Sequence, residues 1–426
     1  MAGNTAGVDR IVVRRSGPLA GAVPIQGAKN SVLKLMAASL MAEGRTVLHG
    51  VPDILDVAWM AEILRSMGVE VRGPERGRLE LVVPPALTPE APYELVERMR
   101  ASVVLLGPLV ARFGRARIAL PGGDDFGPRP IDLHMRALES MGVRFEISHG
   151  YLEASTDGLR GAEILLEFPS VGATENALMA AVMAKGRTVI ENAAREPEIC
   201  DLAAMLNRMG AQVLGAGTST ITVEGRGELN PVEHTVIPDR VEAATFLAAV
   251  GVAGGEVVLK GARADHMAML ISKLGEMGMR ISPQPEGLWA MRTGRLRAVD
   301  VATLPYPGIA TDYKPLFVAM LSVAEGVGIV TENLFAGRFR YVDELVRMGA
   351  QIRTEGHHAV VRGVERLSGA PVRAPDIRAG AALVVAALAA EGETVVSGVE
   401  HIDRGYEDFV GKLRALGADV ERVCVG

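Results

Sequence analysis

Met67-Gly68-Val69-Glu70-Val71 decides the fold, because the phrase returns five more times. Its relatives are Met141-Gly142-Val143-Arg144-Phe145, Met209-Gly210-Ala211-Gln212-Val213, Met277-Gly278-Met279-Arg280-Ile281, Met348-Gly349-Ala350-Gln351-Ile352 and Leu416-Gly417-Ala418-Asp419-Val420. The glycines stand roughly 70 residues apart, too long a period for the common solenoids. Each glycine reads as the residue just past a helix, in the left-handed region, with a strand following at once.

A second phrase precedes each of these: a glycine turn and then a short β-branched run. Examples are Glu43-Gly44-Arg45-Thr46-Val47-Leu48, Lys185-Gly186-Arg187-Thr188-Val189-Ile190 and Glu391-Gly392-Glu393-Thr394-Val395-Val396, with counterparts at 113–118, 255–259 and 325–330. Upstream lie helices of small apolar residues, such as Ser31 to Ala42, Thr174 to Ala184 and Ala379 to Ala390. They are apolar on nearly every face, so they are expected to be buried all round. The second helix of each unit is amphipathic, as in Val57 to Met67, where Ala58, Ala61, Ile63 and Leu64 stand among charged neighbours. The pattern predicts an α/β fold of six similar helix–strand units, three to a domain, each with a buried helix inside a shell of helices and sheets. The N-terminal strand, Arg10 to Arg15, is expected to return to the C-terminal domain. Crossovers are expected near Gly27 and Ile237, where proline-containing segments lead into buried helices.

Bulk properties narrow the function. A chain of 426 residues that is 49% hydrophobic has room for two or three domains with large cores. The formal charge of −6 argues against general affinity for nucleic acid or an anionic membrane. Cys200 and Cys424 are the only cysteines and show no metal-ligand spacing, so neither a disulfide framework nor a metal is expected; the usage fits a reducing cytoplasm. No signal peptide is legible at the N-terminus, and the longest apolar run, Ala381 to Ala390, is too short for a bilayer.

The chemistry is expected in one loop and at the starts of helices. Pro121-Gly122-Gly123-Asp124-Asp125-Phe126-Gly127-Pro128-Arg129-Pro130 is too rich in glycine and proline for a strand or helix interior. It carries two adjacent carboxylates and a cation. Gly27-Ala28-Lys29-Asn30 opens the first apolar helix, where free N–H groups and a lysine suit an anion. Arg100, Thr311-Asp312-Tyr313-Lys314, Pro375-Asp376-Ile377-Arg378 and His401 to Glu407, with Arg404, sit at comparable places in other units. Any one of these charges alone reads as solvated surface. Their recurrence at one structural position points instead to a substrate with several negative charges. Asp124, or its neighbour Asp125, and Asp312 are candidates for acid and base.

These residues resemble the UDP-N-acetylglucosamine 1-carboxyvinyltransferases, an enolpyruvyl transferase family, over nearly the whole chain. The resemblance is carried by Gly27 to Asn30, Met99-Arg100-Ala101-Ser102, Gly107 to Arg112, Pro121 to His134, Ser170 to Thr174, Glu191 to Ile199, Pro238-Asp239-Arg240, Thr311-Asp312, Asp376-Ile377-Arg378 and His401 to Glu407. It implies two inside-out α/β barrel domains, each of three similar units. Residues 1–28 with 238–426 would form one and 29–237 the other, with the active site in the cleft between them. It also implies transfer of the enolpyruvyl group of phosphoenolpyruvate to the 3-hydroxyl of UDP-N-acetylglucosamine, by addition and then elimination of phosphate, without a cofactor.

By the family's motif, Lys29, Asn30, Arg129, Arg378 and Arg404 meet phosphoenolpyruvate. Arg100, Arg129, Pro130, Ile131, Asp132, Leu133, Phe168, Pro169, Ser170, Val171, Asp312 and Leu334 meet the UDP-sugar, with Asp312 as base. Most members carry cysteine where this chain has Asp124, and some carry aspartate. Some have a lysine in place of Leu55 and a glutamine in place of Lys314. A paralogue acting on another nucleotide hydroxyl and a non-catalytic UDP-sugar-binding paralogue are the alternatives. Self-association is left open.

Overall fold

The structure, a computed structural model, describes residues 8–120, 131–335 and 337–425. The segment 121–130, which holds Asp124, Asp125, Arg129 and Pro130, lies outside the described residues.

All six recurring glycines close an outer helix in the left-handed region. Their φ angles are 107° at Gly68, 97° at Gly142, 105° at Gly210, 104° at Gly278, 90° at Gly349 and 92° at Gly417. At the first, the Gly68 amide donates to Arg65 O at 3.0 Å and the Val69 amide to Leu64 O at 3.1 Å. The same pair of bonds recurs at the other five. It satisfies carbonyls that the helix end leaves unpaired, and it turns the chain directly into a strand.

Those strands build six four-stranded mixed sheets with a common order. In the first, Gly44–His49 pairs antiparallel with Arg78–Val83, which pairs antiparallel with Glu70–Glu75. The far edge is Glu233–Thr235, running parallel to Gly44–His49. Two sheets are completed by the chain's N-terminal segment. Val8–Arg14 pairs antiparallel with both Glu393–Ser397 and Val420–Val425, so the first strand does return to the last unit. Leu19–Pro24 is the parallel edge beside Gly255–Lys260. The described chain divides into two compact units, one made of residues up to Gln26 and from Pro238 onward, the other beginning at Gly27 and ending at Ile237.

Six inner helices supply the cores: α1 (Lys29–Ser39), α2 (Leu106–Phe113), α3 (Val171–Ala181), α4 (Arg240–Ala253), α5 (Lys314–Val323) and α6 (Ile377–Ala387). Every residue of α6 is buried, as is every residue of α4 except Ala253. Side chains this small and apolar let helices pack on all sides, and α4, α5 and α6 pack on one another. Full burial of a residue such as Leu383 or Val384 contributes about 1.5–3 kcal/mol. Helices α3 and α6 begin earlier than their apolar runs suggest, because polar caps extend them. Ser170 accepts from the Ala173 amide, and Asp376 accepts from the amides of Arg378 and Ala379. Outer helix Leu55–Met67 buries Val57, Met60, Ala61, Ile63, Leu64 and Met67, whereas Ala58 lies on its exposed side.

One buried amide ties three elements of the Gly27–Ile237 unit together. Asn176 on α3 accepts from the Gly107 amide at 2.6 Å and donates to Val103 O at 3.1 Å. Its second N–H reaches His134 Nδ1 at 2.8 Å, on helix Asp132–Glu139. Asn176→Ala strands all three partners in the core, so urea denaturation is expected to show a loss of roughly 2–5 kcal/mol. A loss below about 0.5 kcal/mol would mean that these groups find other partners.

Candidate active site

In the Gly27–Ile237 unit the candidate residues gather at helix starts. Lys29 is the first residue of α1, and its Nζ lies 3.1 Å from Oδ2 of buried Asp56. Asn30 follows, and its carbonyl accepts from Lys34 Nζ, which also pairs with buried Glu175 at 3.3 Å. Burial pushes the Glu175 carboxyl up to about 7, with Lys34 opposing the rise. Phe168, Pro169, Ser170 and Val171 form the cap of α3: the Ser170 amide donates to Phe168 O at 2.7 Å. Phe168 is exposed. Asp132 opens its own helix and faces Arg136 at 3.9 Å, with Ile131 before it and Leu133 after it.

His134 joins these pieces. Asn176 Oδ1 is taken by the Gly107 amide, so the amide nitrogen faces the imidazole and His134 Nδ1 must accept. The proton of the neutral ring then sits on Nε2. A Cβ at Gly172 would lie 2.6 Å from His134 Cε1, so the start of α3 packs directly on the ring. Burial, and then the Arg100 cation, push His134 down to about 4. The histidine is therefore a neutral spacer that packs helix Asp132–Glu139 on the start of α3 through Gly172 and Asn176, and Arg100 is its electrostatic neighbour.

In the other unit a denser cluster surrounds Asp312. Arg338 Nη1 donates to Asp312 Oδ1 at 2.8 Å, and Arg378 Nε stands 3.6 Å from Oδ2. Arg338 also donates to Thr311 Oγ1 at 3.2 Å. Behind them Glu332 accepts from Thr303 Oγ1 and Thr311 Oγ1, both at 2.7 Å, and from the Leu334 and Phe335 amides at 2.8 and 3.1 Å. Lys314 Nζ lies 3.0 Å from the same carboxylate, fully buried, and burial pushes that amine down to about 8. Glu332 thus ties Asp312's turn to the candidate contact Leu334.

Arg378 is 3% exposed, and its guanidinium carbon lies 5.2 Å from the Tyr406 ring centre. Its Nη1 and Nη2 are buried without a hydrogen-bond partner among the described residues. Unpaired donors of this kind are costly, and they are the donors an anion would take. Arg404 is likewise buried, after the short helix Val399–Asp403. The turn that follows is held by Gln26, whose Nε2 donates to Gly405 O at 3.0 Å and whose Oε1 accepts from the Glu407 amide at 2.8 Å.

Asp124, Arg129 and Pro130 lie outside the described residues. Arg338, Glu332, Asp56 and His134 are additions that sequence reading missed. Each acts through a partner far along the chain, and only the helix-start position of Asp56 gave a signal. Among the described residues no cluster of histidine, cysteine, aspartate or glutamate suits a metal, and no helix is long and apolar enough to cross a membrane.

The neutral histidine gives a signed pH dependence. With a folded value of about 4 against an ordinary 6.5, the unfolded chain takes up a proton first as pH falls. Stability from His134 is therefore present above 6.5 and is lost between 6.5 and 4. Glu175 and Glu242, both pushed up to about 7 by burial, change with the opposite sign over 4.5 to 7. The clean readout is a difference: the stability gap between the unmodified protein and His134→Leu is expected to narrow as pH falls from 6.5 to 4. A gap independent of pH would show that the ring titrates alike in both states.

Residues 13–413 match the family model described as EPSP synthase (3-phosphoshikimate 1-carboxyvinyltransferase). The UDP-N-acetylglucosamine 1-carboxyvinyltransferase of Nocardia farcinica is 51% identical over 97% of this chain and 99% of its own length. That of Mycobacterium leprae is 50% identical over 98% and 100%. Among solved structures, the enolpyruvyl transferase NikO of Streptomyces tendae superposes with a TM-score of 0.88 at 26% identity, over 99% of this chain and 100% of that one. The EPSP synthase of Acinetobacter baumannii shares the fold, with a TM-score of 0.75 at 20% identity over 97% and 100%. Six repeated units, helix starts furnished with buried cations, and half of all residues shared with these relatives agree: the chain belongs to the UDP-N-acetylglucosamine 1-carboxyvinyltransferase family of enolpyruvyl transferases.

Proposed function

We propose that the chain transfers the enolpyruvyl group of phosphoenolpyruvate to the 3-hydroxyl of UDP-N-acetylglucosamine and releases phosphate, the first committed step of peptidoglycan synthesis, in the cytoplasm. The observation that carries this reading is Arg378: a buried guanidinium with two unpaired nitrogens, beside a carboxylate already clamped by Arg338. A polyanionic substrate supplies the missing acceptors.

The roles follow from the positions. Lys29, Asn30, Arg129, Arg378 and Arg404 take the phosphate and carboxylate of phosphoenolpyruvate. Arg100, Ile131, Asp132, Leu133 and the Phe168 to Val171 cap, together with Arg129, Pro130 and Leu334, take the UDP-sugar. Asp312 receives the hydroxyl proton as the sugar oxygen bonds to C2, and C3 gains a proton from Asp124. C3 then gives up a proton, the C2–O bond to phosphate breaks, and the double bond returns. Two guanidinia hold Asp312, so its first task is to orient the hydroxyl while charge builds nearby.

The second reading is transfer to a different nucleotide hydroxyl, since another enolpyruvyl transferase, NikO, shares this fold at 26% identity. Phosphate release from phosphoenolpyruvate with UDP-N-acetylglucosamine, UMP or shikimate 3-phosphate separates the readings. Activity with UMP alone would overturn the first, and activity with none would leave only a binding paralogue.

Lys29→Ala and Arg404→Ala are each expected to lower turnover by a factor equivalent to roughly 2.7–4 kcal/mol, by analogy with removal of an oxyanion donor. Circular dichroism should show an unchanged fold. Near-normal kinetics in both would remove them from the site.

Asp124 replaces the loop cysteine of most relatives, and resistance to fosfomycin is the expected consequence. A thiolate opens the epoxide readily, whereas a carboxylic acid that serves as proton donor is a poor nucleophile. Intact-mass spectrometry after incubation with fosfomycin and UDP-N-acetylglucosamine should show no adduct, and Asp124→Cys should gain one while staying active. Asp124→Asn should lose activity, because an amide has no proton to give. A stoichiometric adduct on the unmodified enzyme would refute the first claim, and a fully active Asp124→Asn would move the acid to Asp125.

A further inference from the structure

The sheet that contains the N-terminal strand carries a cation cluster that enolpyruvyl transfer does not use. Its order is Pro371–Arg373, Glu393–Ser397, Val8–Arg14 and Val420–Val425. Arg373 stands opposite Ser397, and Arg10 is one step beyond the Ile11–Val396 pair, on the other side of the same serine. Successive side chains in a strand alternate faces. Val372, Val396 and Ile11 turn into the core, so Arg373, Ser397 and Arg10 share the outer face. Neighbouring strands lie about 4.8 Å apart, so the two arginine stems rise about 10 Å from each other, close enough for both forks to meet above Ser397. Helix Val342–Arg347 brings Arg347 and Glu344 alongside. Together these groups line a cavity of about 290 Å³ with Pro371, Val372 and Val395.

The charge there is unbalanced. Among the described residues Glu344 is the only carboxylate lining the cavity, and it is engaged: its Oε2 accepts from the Arg373 amide at 3.0 Å and lies 3.5 Å from Arg347 Nε. Neither Arg10 nor the guanidinium of Arg373 has a hydrogen-bonded or ionic partner among the described residues. The rest of this sheet is arranged differently. Arg14 meets Glu393, Asp419 and Glu421, and Arg422 meets Asp9 and Asp403. Arg10 and Arg373 flank the same strand from either side, and like charges brought to one face repel, in a chain of net charge −6. The Ser397 hydroxyl donates to Val372 O at 3.2 Å, which leaves the arginines as the donors facing the cavity.

We propose that this cavity is an anion-binding site, distinct from the substrate site, for a small molecule carrying a dianionic phosphate group. Planar guanidinium forks fit phosphate oxygens two at a time, and the volume suits a compact ligand. None of the lining residues is among those assigned to phosphoenolpyruvate, the UDP-sugar or the Asp312 cluster.

Calorimetric titration of the full chain with inorganic phosphate at low ionic strength tests it. The substrate site also takes phosphate, so Arg404→Ala serves as the background. There, phosphate is expected still to bind, and adding Arg10→Gln and Arg373→Gln should weaken that binding about tenfold or more. Arg144→Gln with Arg353→Gln, an equal charge change at exposed positions, should leave it within about twofold. With Arg404 intact, Arg10→Gln/Arg373→Gln should keep its basal rate of enolpyruvyl transfer. Undiminished phosphate binding after loss of both arginines would overturn the proposal, as would an equal loss in the Arg144/Arg353 control. A parallel loss of transfer would assign the arginines to the substrate site instead. Because binding is read without turnover, a failed substrate assignment leaves this outcome interpretable.

Discussion

A helix that is apolar on every face must be enclosed on every face, and this constraint organises the protein. Along α4, α5 and α6 the buried residues run through each helix with almost no polar interruption. Such helices can pair only with each other and with the inner faces of sheets, which pushes the sheets outward. Their backbones are self-satisfied except at the ends. The ends are therefore where polar groups must collect, and at the N-terminal end those groups sit in a positive field. Lys29, the Arg100 turn, Ser170, Asp239, Thr311 to Lys314 and Asp376 with Arg378 all lie at or just before the start of an inner helix.

The electrostatics around Asp312 extend the same logic. Buried ion pairs contribute little net stability, because desolvation offsets attraction. What Lys314, Glu332 and Arg338 contribute is placement. One carboxylate, Glu332, accepts from two threonines and two backbone amides while facing a lysine, so the loop at Leu334 and the turn at Thr311 cannot move independently. Arg338 passes that constraint to Asp312. Arg378, whose amide its own N-cap Asp376 accepts, is held on a helix start with both Nη atoms buried and unpaired among the described residues.

The sequence made the repeat legible because a left-handed glycine after a helix is chemically conspicuous and recurs at a fixed period. The strand expected over Arg10 to Arg15 was legible as a return to the last unit because the first and last units are close in kind, and Val8–Arg14 does pair there. Arg338 and Glu332 were not legible. They serve Asp312 from 26 and 20 residues away, and nothing local marks which charge in Glu332-Asn333 or Arg338-Phe339-Arg340 turns inward. Asp56 hid inside an amphipathic pattern in which a carboxylate reads as solvent-facing, yet it is buried against Lys29. His134 and Asn176 were invisible for the same reason: a satisfied buried polar pair has no periodic signature.

The buried cations fit a reaction in which charge moves without any one residue carrying it for long. Adding a hydroxyl to C2 and then expelling phosphate shifts negative charge from the sugar oxygen towards the leaving group. Rigid guanidinia that are already desolvated need no reorganisation to follow that shift. Arg338 and Arg378 are both buried, and although burial opposes the charge both are held in the charged form, Arg338 chiefly by Asp312 and Arg378 by Tyr406 ahead of Asp312. An arginine left without a counter-ion would be expensive to bury, so the carboxylate proposed to orient the sugar hydroxyl also keeps its cations in place. Asp312 thus couples two requirements, and its position between two arginines is the geometry that satisfies both.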